Sequence, residues 1–187
     1  FAVLSASLLA WVAHNIAALG GRARLVGLIG TDDAARELRS GLDRAGVDAT
    51  GLVTDGGRPT TRKVRVVTLR NQQVARVDHE ADADASGAVE DRLIAQLTAA
   101  SADADAIVLS DYCKGVVTPR VIAAAVAAAR ASGAPLLVDP KVPRAERYRG
   151  AALVTPNHHE AEVMTQMTIR GVDDARQAAR RLHEQTG

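Results

Sequence analysis

The 187-residue sequence predicts an α/β fold, in which a mostly parallel sheet is covered by helices on both faces and carries a small β-hairpin. Short, continuously apolar segments alternate with helical segments, and this pattern is typical of strands that are buried on both sides. Three of the helical segments are followed by glycines (Gly20-Gly21, Gly46 and Gly133), Asp32 can cap one helix, and the connections between elements are short. A third observation is the segment 60–78, which alternates polar and apolar residues instead.

The first part of the chain contains a β-α unit. A helix is predicted over Ser5–Leu19, a strand over Arg24–Ile29, and a second helix from its N-cap, Asp32, to about Ala45. We interpret the apolar opening 1–12 as part of a buried helix rather than a signal peptide, because it lacks a basic region. Since the sequence has no initiator Met, the chain is expected to begin inside a longer protein.

The segment 60–78 is predicted to be a hairpin, with strands at 60–68 and 73–78 and a turn at Asn71-Gln72. Such a hairpin has one polar face, and three interpretations of that face are open: a solvated sheet surface, a polar lid over a substrate, or an edge that pairs with another subunit. The residues expected on this face are Arg62, Arg65, Arg76 and Asp78.

The rest of the chain returns to the alternating pattern, which implies parallel strands joined by right-handed crossovers. Helices are predicted at about 88–100, 119–131, 158–167 and 172–185, and strands at 106–110, 135–138 and 152–155.

Composition excludes several classes of function. The formal net charge is +1 and aromatic residues make up 2%, so neither a basic nucleic-acid surface nor a base-stacking platform is expected. No apolar run reaches the ~18 residues that a membrane span requires. The single cysteine, Cys113, cannot form an internal disulfide, which favours a reducing, cytoplasmic location.

Polar clusters follow three consecutive predicted strands, at 110–115, 139–141 and 155–160. Because ligands bind at the carboxyl ends of strands in open parallel sheets, these clusters are expected to form one site. The cations available there are Lys114 and Lys141, and the carboxylates that could hold Mg²⁺ or its waters are Asp111, Asp139 and Glu160. A nucleotide-using phosphotransferase requires this mixture, because its catalysis is mostly positioning and charge neutralisation.

Simpler interpretations of these residues remain open. Asp111 and Asp139 could cap the turns that follow them, and Lys114 could be a solvated loop residue. His158 and His159 are adjacent on a predicted helix and therefore point in different directions, which disfavours a shared metal.

Other chemistry is disfavoured by the residues themselves. No histidine with an orienting partner is recognisable around Cys113, so a nucleophilic role is not expected, and Glu146 fits a solvated turn. The glycines within Val26–Gly30 do not match the G-x-G-x-x-G spacing, which argues against a dinucleotide-binding oxidoreductase.

An ordered set of motifs runs from residue 12 to about residue 162. The motifs are Val12–Gly20, Val26–Ala35, Arg58–Arg65, Asn71–Gln73, Arg76–Asp78, Ser110–Gly115, Val138–Lys141, Arg147–Ala151, and Thr155–Asn157 with Glu160. Each is weak alone, but in this order and spacing they resemble the carbohydrate kinases of the ribokinase (PfkB) superfamily, and more specifically its heptose 7-phosphate kinases.

The resemblance implies a three-layer, ribokinase-like sandwich with a hairpin lid inserted at about 56–80, of which residues 1–187 form a partial domain. It implies ATP-dependent phosphorylation of D-glycero-β-D-manno-heptose 7-phosphate at the C1 hydroxyl, a step towards the lipopolysaccharide core, with ATP and Mg²⁺ as cofactors. It also implies a homodimer formed through the lid. The family's catalytic Asp is expected beyond Gly187, so this chain is expected to be inactive by itself.

The resemblance also assigns residues to two binding roles, and none to direct metal ligation. ATP and Mg²⁺ binding falls to Asn157, His158, His159, Glu160, Asp139 and Lys141. Binding of the sugar phosphate falls to Asn15, Lys63, Arg65, Arg76, Asp111 and Lys114.

The beginning of the chain departs from the family pattern. Ser7-Leu8 stand where the family has a glycine pair, and Trp11 stands where it has a sugar-contacting Asn, whose paired donor and acceptor an indole lacks. The family's first strand, with its acidic sugar contact, is expected to be absent. These departures support a second hypothesis, a non-catalytic relative that only binds a sugar phosphate or an oligomer partner.

Overall fold

A computed structural model describes residues 2–4, 9–70, 72–141 and 144–187, with the backbone alone for Ala2–Leu4, Leu9 and Val67. The predicted α/β class is confirmed. The strands are β1 (Ala2–Leu4), β2 (Arg24–Ile29), β3 (Leu52–Thr54), β4 (Arg62–Val67), β5 (Gln73–His79), β6 (Ile107–Ser110), β7 (Leu136–Asp139) and β8 (Leu153–Val154). The helices are α1 (Leu9–Ala18), α2 (Asp33–Arg44), α3 (Gly87–Ser101), α4 (Pro119–Ser132), α5 (His158–Thr165) and α6 (Val172–Thr186), with a 3-10 helix at Ala145–Tyr148.

The described strands form one parallel sheet and one separate hairpin. The sheet has six strands in the order β3-β2-β1-β6-β7-β8, and every neighbouring pair is parallel. The hairpin pairs β4 with β5 in antiparallel fashion. The chain runs outward from β1 to β3 and then crosses to β6 on the other side of β1, so a topological switch point lies between β1 and β6.

Two hydrophobic cores cover the two faces of the sheet. Successive residues of a strand point to opposite faces, and in β2 Leu25 and Ile29 pack with α1 and α2, whereas Val26 and Leu28 pack with α3 and α4. The second core is the larger one, and it includes the fully buried Tyr148 of the 3-10 helix. The result is the predicted arrangement of three layers, with helices on both faces.

Most predicted elements are confirmed, with small shifts at their ends. Asp32 is the N-cap of α2, because its side chain accepts a hydrogen bond from the Ala35 N–H, and Gly46 follows the helix with φ +70°. The strand β3 was not predicted from sequence, because three residues are too few to show a period.

The prediction for the first residues is wrong in part. Ala2–Leu4 form a strand between β2 and β6, so a three-residue first strand is present where the family's first strand was expected to be absent. The helix begins at Leu9, and Trp11 is 68% exposed, so the opening 1–12 is not a single buried helix. Ser7-Leu8 lie outside the described residues.

The hairpin is confirmed, but one residue was assigned to the wrong face. Directly opposed residues share a face, and the pairs are Lys63 with Asp78 and Arg65 with Arg76. Arg62 is one position from Lys63 and therefore lies on the opposite face, so Lys63 takes the place predicted for Arg62. Asn71, in the predicted turn, lies outside the described residues.

Among the described residues, no helix is both long and apolar enough to cross a membrane.

The turn after β6 makes a close backbone approach to the segment that follows the hairpin. Gly115 has φ +71°, and a Cβ built there would lie 1.8 Å from the carbonyl oxygen of Ala83. Gly133, which ends α4, has a similar φ of +73° but no atom within 4 Å of such a Cβ. Substituting each of the two glycines therefore distinguishes the cost of backbone strain, which both share, from the cost of a steric clash, which only Gly115 has.

We expect Gly115→Ala to lower the free energy of unfolding by about 3 kcal/mol, because it combines left-handed strain with overpacking against backbone. Gly133→Ala, the matched control, should cost only ~1 kcal/mol, because strain acts alone there. Urea unfolding followed by circular dichroism measures both. Equal losses in the two variants would show that the close approach to Ala83 does not exist in solution.

Candidate active site

The three polar clusters predicted at the strand ends meet at the carboxyl edge of β6, β7 and β8, which we call the crest: residues 110–115, 139–141 and 155–160. In-register pairing brings the strand ends level, since Ser110 pairs with Asp139 and Val138 with Val154. A pocket of about 190 Å³ opens there. Its lining residues are Asp111, Tyr112, Asp139, Pro140, Lys141, Thr155, Asn157 and Glu160.

The N-terminus of α5 forms one wall of this pocket through a capping box. The Asn157 side chain accepts a hydrogen bond from the Glu160 N–H at 3.0 Å, and the Glu160 carboxylate accepts one from the Asn157 N–H at 2.9 Å. The second Glu160 oxygen accepts a hydrogen bond from Lys141 Nζ at 2.9 Å. The pair of side chains thus joins two of the three polar clusters.

Glu160 is held in its charged form. Desolvation raises its pKa, but the Asn157 N–H and the Lys141 ammonium stabilise the carboxylate more strongly, so the pKa of Glu160 lies below its ordinary value. The same contact raises the pKa of Lys141. Both groups are therefore ionised at neutral pH, and the charge of each is partly neutralised by the other.

Asp139, at the end of β7, is another lining residue of the pocket. Its Oδ2 accepts a hydrogen bond from the Ser110 hydroxyl at 3.0 Å and a long one from the Tyr112 hydroxyl at 3.5 Å. Burial and the neighbouring Asp139 charge raise the pKa of Tyr112, which keeps that phenol protonated. The other oxygen, Oδ1, has no hydrogen bond within the described residues, so Asp139 has a free acceptor in the pocket.

Asp111 is also on the pocket wall, but it is buried and already occupied. It accepts hydrogen bonds from the Cys113 N–H at 2.8 Å and from the Tyr148 hydroxyl at 2.9 Å. The turn it forms with Cys113 resembles the capping role that the sequence left open for it.

The remaining candidates around the crest are exposed. His158 Nε2 lies 3.5 Å from Glu162 Oε1, one turn along α5, whereas His159, Cys113 and Glu146 are on the surface. In the ranges that the structure describes, no group of three or more His, Cys, Asp or Glu side chains is arranged to hold a metal ion.

Lys114 does not line the crest pocket, contrary to the expectation that it would join Lys141 there. Its ammonium lies 2.6 Å from Glu80 and 2.7 Å from Asp82, where the hairpin returns to the sheet. Hydrogen bonds to Asp82 and Glu80 raise the pKa of Lys114 to about 12. We call this contact of Lys114 with Glu80 and Asp82 the lid latch, and it ties the segment just after β5 to the crest.

Two of the lid cations that were predicted to bind the sugar phosphate form ion pairs with carboxylates of the protein. Lys63 Nζ lies 3.1 Å from Asp78 and 3.0 Å from Glu80, and Arg76 lies 3.0 Å from Asp78. Arg65 has no hydrogen bond or ion pair within the described residues. The second oxygen of Asp78, Oδ1, is buried and lacks a hydrogen-bond donor there.

The first strand of the lid is held to the sheet by different bonds. Thr60 donates its N–H to Asp32 at 2.8 Å, and its hydroxyl oxygen accepts from the Gly30 N–H at 2.8 Å. Arg58 reaches the other side, donating to the carbonyl oxygens of Ala83 at 3.0 Å and Lys114 at 3.3 Å. Arg58 belongs to the motif Arg58–Arg65, but its role was not predicted from sequence. Only the folded structure shows that it connects the two ends of the lid with the crest.

A second pocket, of about 540 Å³, lies between the lid, α1 and α2. The Trp11 and His14 rings line it in an edge-to-face contact, with centroids 6.1 Å apart, and Lys63 and Arg65 line the lid side. Asn15, the α1 residue predicted to bind sugar, is exposed and is not among the lining residues.

A parallel α/β sheet with a polar crest and an inserted hairpin is the architecture of ribokinase-like sugar kinases. The fold is similar to that of Arabidopsis thaliana ribokinase complexed with ribose and ATP, with a TM-score of 0.76 and 15% sequence identity over 98% of this chain and 68% of that chain. It is also similar to the tetrameric inhibited form of Escherichia coli phosphofructokinase-2, with a TM-score of 0.72 and 21% identity over 95% of this chain and 58% of that one.

The chain belongs to the pfkB family of carbohydrate kinases, whose family model matches residues 10–187. A bifunctional protein HldE from Caulobacter sp. (strain K31) is 46% identical over 168 residues, which are 90% of this chain and 34% of that protein. The chain therefore spans about a third of the length of this curated relative. Family and fold, as implied by the resemblance of the motifs, are confirmed.

We expect Lys114→Gln to loosen the lid. The pair is partly exposed, so its loss should cost ~1 kcal/mol, which corresponds to about fivefold faster amide exchange in β4 and β5. Hydrogen exchange followed by mass spectrometry measures this, with Lys141→Gln as the matched control because Lys141 pairs with Glu160 instead of the lid. Unchanged exchange in the lid of Lys114→Gln would exclude the latch.

The same measurement has a defined pH dependence. The contacts of Glu80 with Lys114 and Lys63 lower its pKa, so their stabilisation is present above the ordinary value of 4.5 and is lost as pH falls through the folded-state pKa. The pKa of Lys114 is raised from 10.5, so its stabilisation is complete below 10.5 and is lost as pH rises through about 12. Between these limits the Lys114→Gln effect should be constant.

Proposed function

We propose that this chain forms the sugar-binding and nucleotide-phosphate-binding part of a kinase that transfers the γ-phosphoryl group of ATP to the C1 hydroxyl of D-glycero-β-D-manno-heptose 7-phosphate. The observation that carries the proposal is the convergence of Asp139, Lys141, Asn157 and Glu160 around one crest pocket. The choice of sugar follows from the resemblance of the motifs to heptose 7-phosphate kinases, and the match to the pfkB family supports a carbohydrate acceptor in general.

The nucleotide side of the proposal uses the crest and α5. The first turn of a helix presents unpaired N–H groups and a positive dipole, so the backbone at His158 and His159 suits phosphate oxygens. Lys141 supplies a cation at the same edge and can exchange part of its contact with Glu160 for a phosphate. The two imidazoles are exposed and have no assigned role in the chemistry.

The crest pocket also fits Mg²⁺. The free Oδ1 of Asp139 and the ionised Glu160 provide the one or two carboxylates that Mg²⁺ uses when substrate phosphates and waters complete its shell. When bound, Mg²⁺ would neutralise charge on the transferring phosphoryl group. Asp139 and Glu160 would hold it directly or through its waters, and the capping box would keep the Glu160 carboxylate in place.

The sugar side of the proposal uses the lid. Arg65 lies on the same face of the hairpin as Lys63 and Arg76 and, unlike these two, has no carboxylate partner among the described residues. We therefore assign it to the 7-phosphate, which guanidinium groups bind in bidentate fashion. Lys63 and Arg76 are already neutralised by Asp78, so we assign them to sugar hydroxyls. The orphan Oδ1 of Asp78 would then gain its donor from a hydroxyl.

Closure of the lid would exclude water from the transfer site, which strengthens each charge interaction there. We assign none of the described residues to accept the C1 proton, and we propose that the chain by itself binds its ligands without turnover. ATP as the donor and the unpaired Cys113 are consistent with a cytoplasmic location.

The test is a coupled ADP-release assay on a longer protein that contains this chain, with the heptose 7-phosphate as acceptor. We expect Glu160→Gln to reduce Mg²⁺-dependent kcat by about tenfold or more while leaving the KM for the sugar within about twofold, because only the phosphate side is changed. Glu184→Gln, an exposed change on α6, is the matched control.

Two outcomes would overturn the proposal, and a third would refute the expected inactivity of the chain by itself. A rise in the KM for the sugar with kcat unchanged would show that Glu160 serves the sugar instead. If the longer protein binds the sugar phosphate without releasing ADP, the non-catalytic relative is correct. Turnover by the 187-residue chain alone would refute its expected inactivity.

We further propose that the lid forms a homodimer contact. The face opposite Lys63 carries Val64, Val66 and Val77, of which the last two are 47% exposed, and an isolated two-stranded hairpin is only marginally stable. A second copy of the same hairpin would bury these valines and provide more strands. The tetrameric state named for the phosphofructokinase-2 structure shows that relatives of this fold do associate.

We expect Val66→Glu to convert the dimer to monomer, since each dimer would bury two charges in an apolar contact. Sedimentation velocity measures the change. Val172→Glu, at an exposed apolar residue of α6, is the matched control and should leave the mass unchanged. A parent chain that sediments as a monomer at all concentrations, or equal behaviour of the two variants, would exclude the lid dimer.

A further inference from the structure

Tyr148 belongs to a motif, Arg147–Ala151, to which the proposed function gives no role. It is the last residue of the 3-10 helix and has no exposed surface. Its hydroxyl donates a hydrogen bond of 2.9 Å to Asp111 Oδ2, across 37 residues of sequence. A buried hydroxyl without a partner is unfavourable, and Phe would fill nearly the same volume, so the hydroxyl needs this acceptor to be retained in the core.

Asp111 connects the Tyr148 hydroxyl to the backbone of the crest, because it accepts hydrogen bonds from both. It is 3% exposed, and its other oxygen accepts the Cys113 N–H at 2.8 Å, which closes a tight turn. Cys113 has φ +55°, a left-handed conformation that a non-glycine residue adopts only when its surroundings impose it. The Asp111 N–H in turn donates to the Asp139 carbonyl oxygen at 2.9 Å, which aligns the two strand ends.

The next two residues, Lys114 and Gly115, contact residues 80–85, where the lid ends. Lys114 forms the lid latch with Glu80 and Asp82, and the Gly115 carbonyl oxygen accepts the Ala85 N–H at 2.7 Å. A rotation of the turn at Cys113 would move both contacts away from the lid. One buried hydroxyl is therefore linked through three hydrogen-bonded steps to the position of the lid.

We propose that Tyr148 is a positioning residue that fixes the Asp111–Cys113 turn, and that Asp111 serves as its acceptor rather than as a ligand of the sugar. The turn then presents Lys114 to the lid and keeps Asp139 level with the crest pocket. The proposal rests on the proposed function only in taking the crest as the phosphate site; the turn itself is tested without any ligand.

Cys113 makes this test possible, because it is the single cysteine of the chain, is exposed, and lies inside the turn. Desolvation and the nearby Asp111 charge raise the pKa of its thiol, so the intact turn keeps it slow to react. Burial and the Asp111 charge also raise the pKa of Tyr148, so the phenol remains a donor throughout the range of the experiment.

The experiment measures the rate constant of Cys113 alkylation by iodoacetamide between pH 7 and 9.5 in the 187-residue chain and in Tyr148→Phe. We expect the variant to react about tenfold faster, the factor that the loss of one hydrogen bond to a charged acceptor implies. Its pH profile should also move towards that of a free thiol, because the turn opens and the sulfur gains water.

Two controls separate positioning from general stability. Tyr112→Phe also removes one phenol, next to Cys113 in sequence, but that hydroxyl makes only a long contact with Asp139, so its rate should stay within about twofold of the parent. Leu97→Ala creates a cavity in the core of α3 and should unfold more easily than Tyr148→Phe, yet alkylate at the parent rate in native buffer.

The outcomes are distinct. Parent-like alkylation of Tyr148→Phe, in rate and in pH profile, would overturn the proposal, as would a rate in Leu97→Ala that matches the rate in Tyr148→Phe. A fast Tyr148→Phe with slow controls supports the positioning role, whether or not the longer protein phosphorylates the heptose. Failure of the kinase assay alone would instead overturn the proposed function and leave this result in place.

Discussion

The turn at residues 110–115 is the constraint on which the rest of the site depends. It ends β6, contributes Asp111 and Tyr112 to the crest pocket, and carries Lys114 and Gly115 to the lid. Its left-handed residue at Cys113 and its contact with Ala83 leave little room for another conformation. A change in this turn therefore moves the wall of the crest pocket and the base of the lid together.

The lid is positioned mainly by polar contacts at its two ends. Its strands are largely exposed on both faces, so burial of apolar area contributes little to its location. Thr60 and Asp32 hold one end, Lys114 and Glu80 hold the other, and Arg58 connects them through carbonyl oxygens. Contacts of this kind are individually weak and are strong only as a set, which fits the proposed role of the hairpin as a substrate lid.

Ion pairs within the protein also reduce the number of basic side chains that are free to bind a ligand. Several lysines and arginines of the motifs are neutralised by carboxylates, as Lys141 is by Glu160 and Lys63 is by Asp78. Arg65 lacks such a partner among the described residues. Of the three described cations on this face of the hairpin, Lys63 and Arg76 are paired and Arg65 is not, which is the reason for proposing Arg65 as the phosphate ligand.

Local patterning in the sequence is sufficient for the elements that repeat a period or carry a cap. The buried runs predict β2, β6 and β7, the alternation predicts the hairpin, and Asp32 predicts the start of α2, because these signals depend on neighbours within a few residues. The gathering of Asp139, Asn157 and Glu160 follows as well, since the ends of parallel strands meet at one edge.

Contacts between residues distant in sequence were decided only by the tertiary structure. Lys114 pairs with Glu80 at the lid, and Asp111 accepts a hydrogen bond from Tyr148, 37 residues away. The sequence does not predict such bonds, because they form only once the core has brought the remote segments together. The three-residue strands β1 and β3 were likewise beyond local patterning, since their pairing partners, and not their own residues, make them strands.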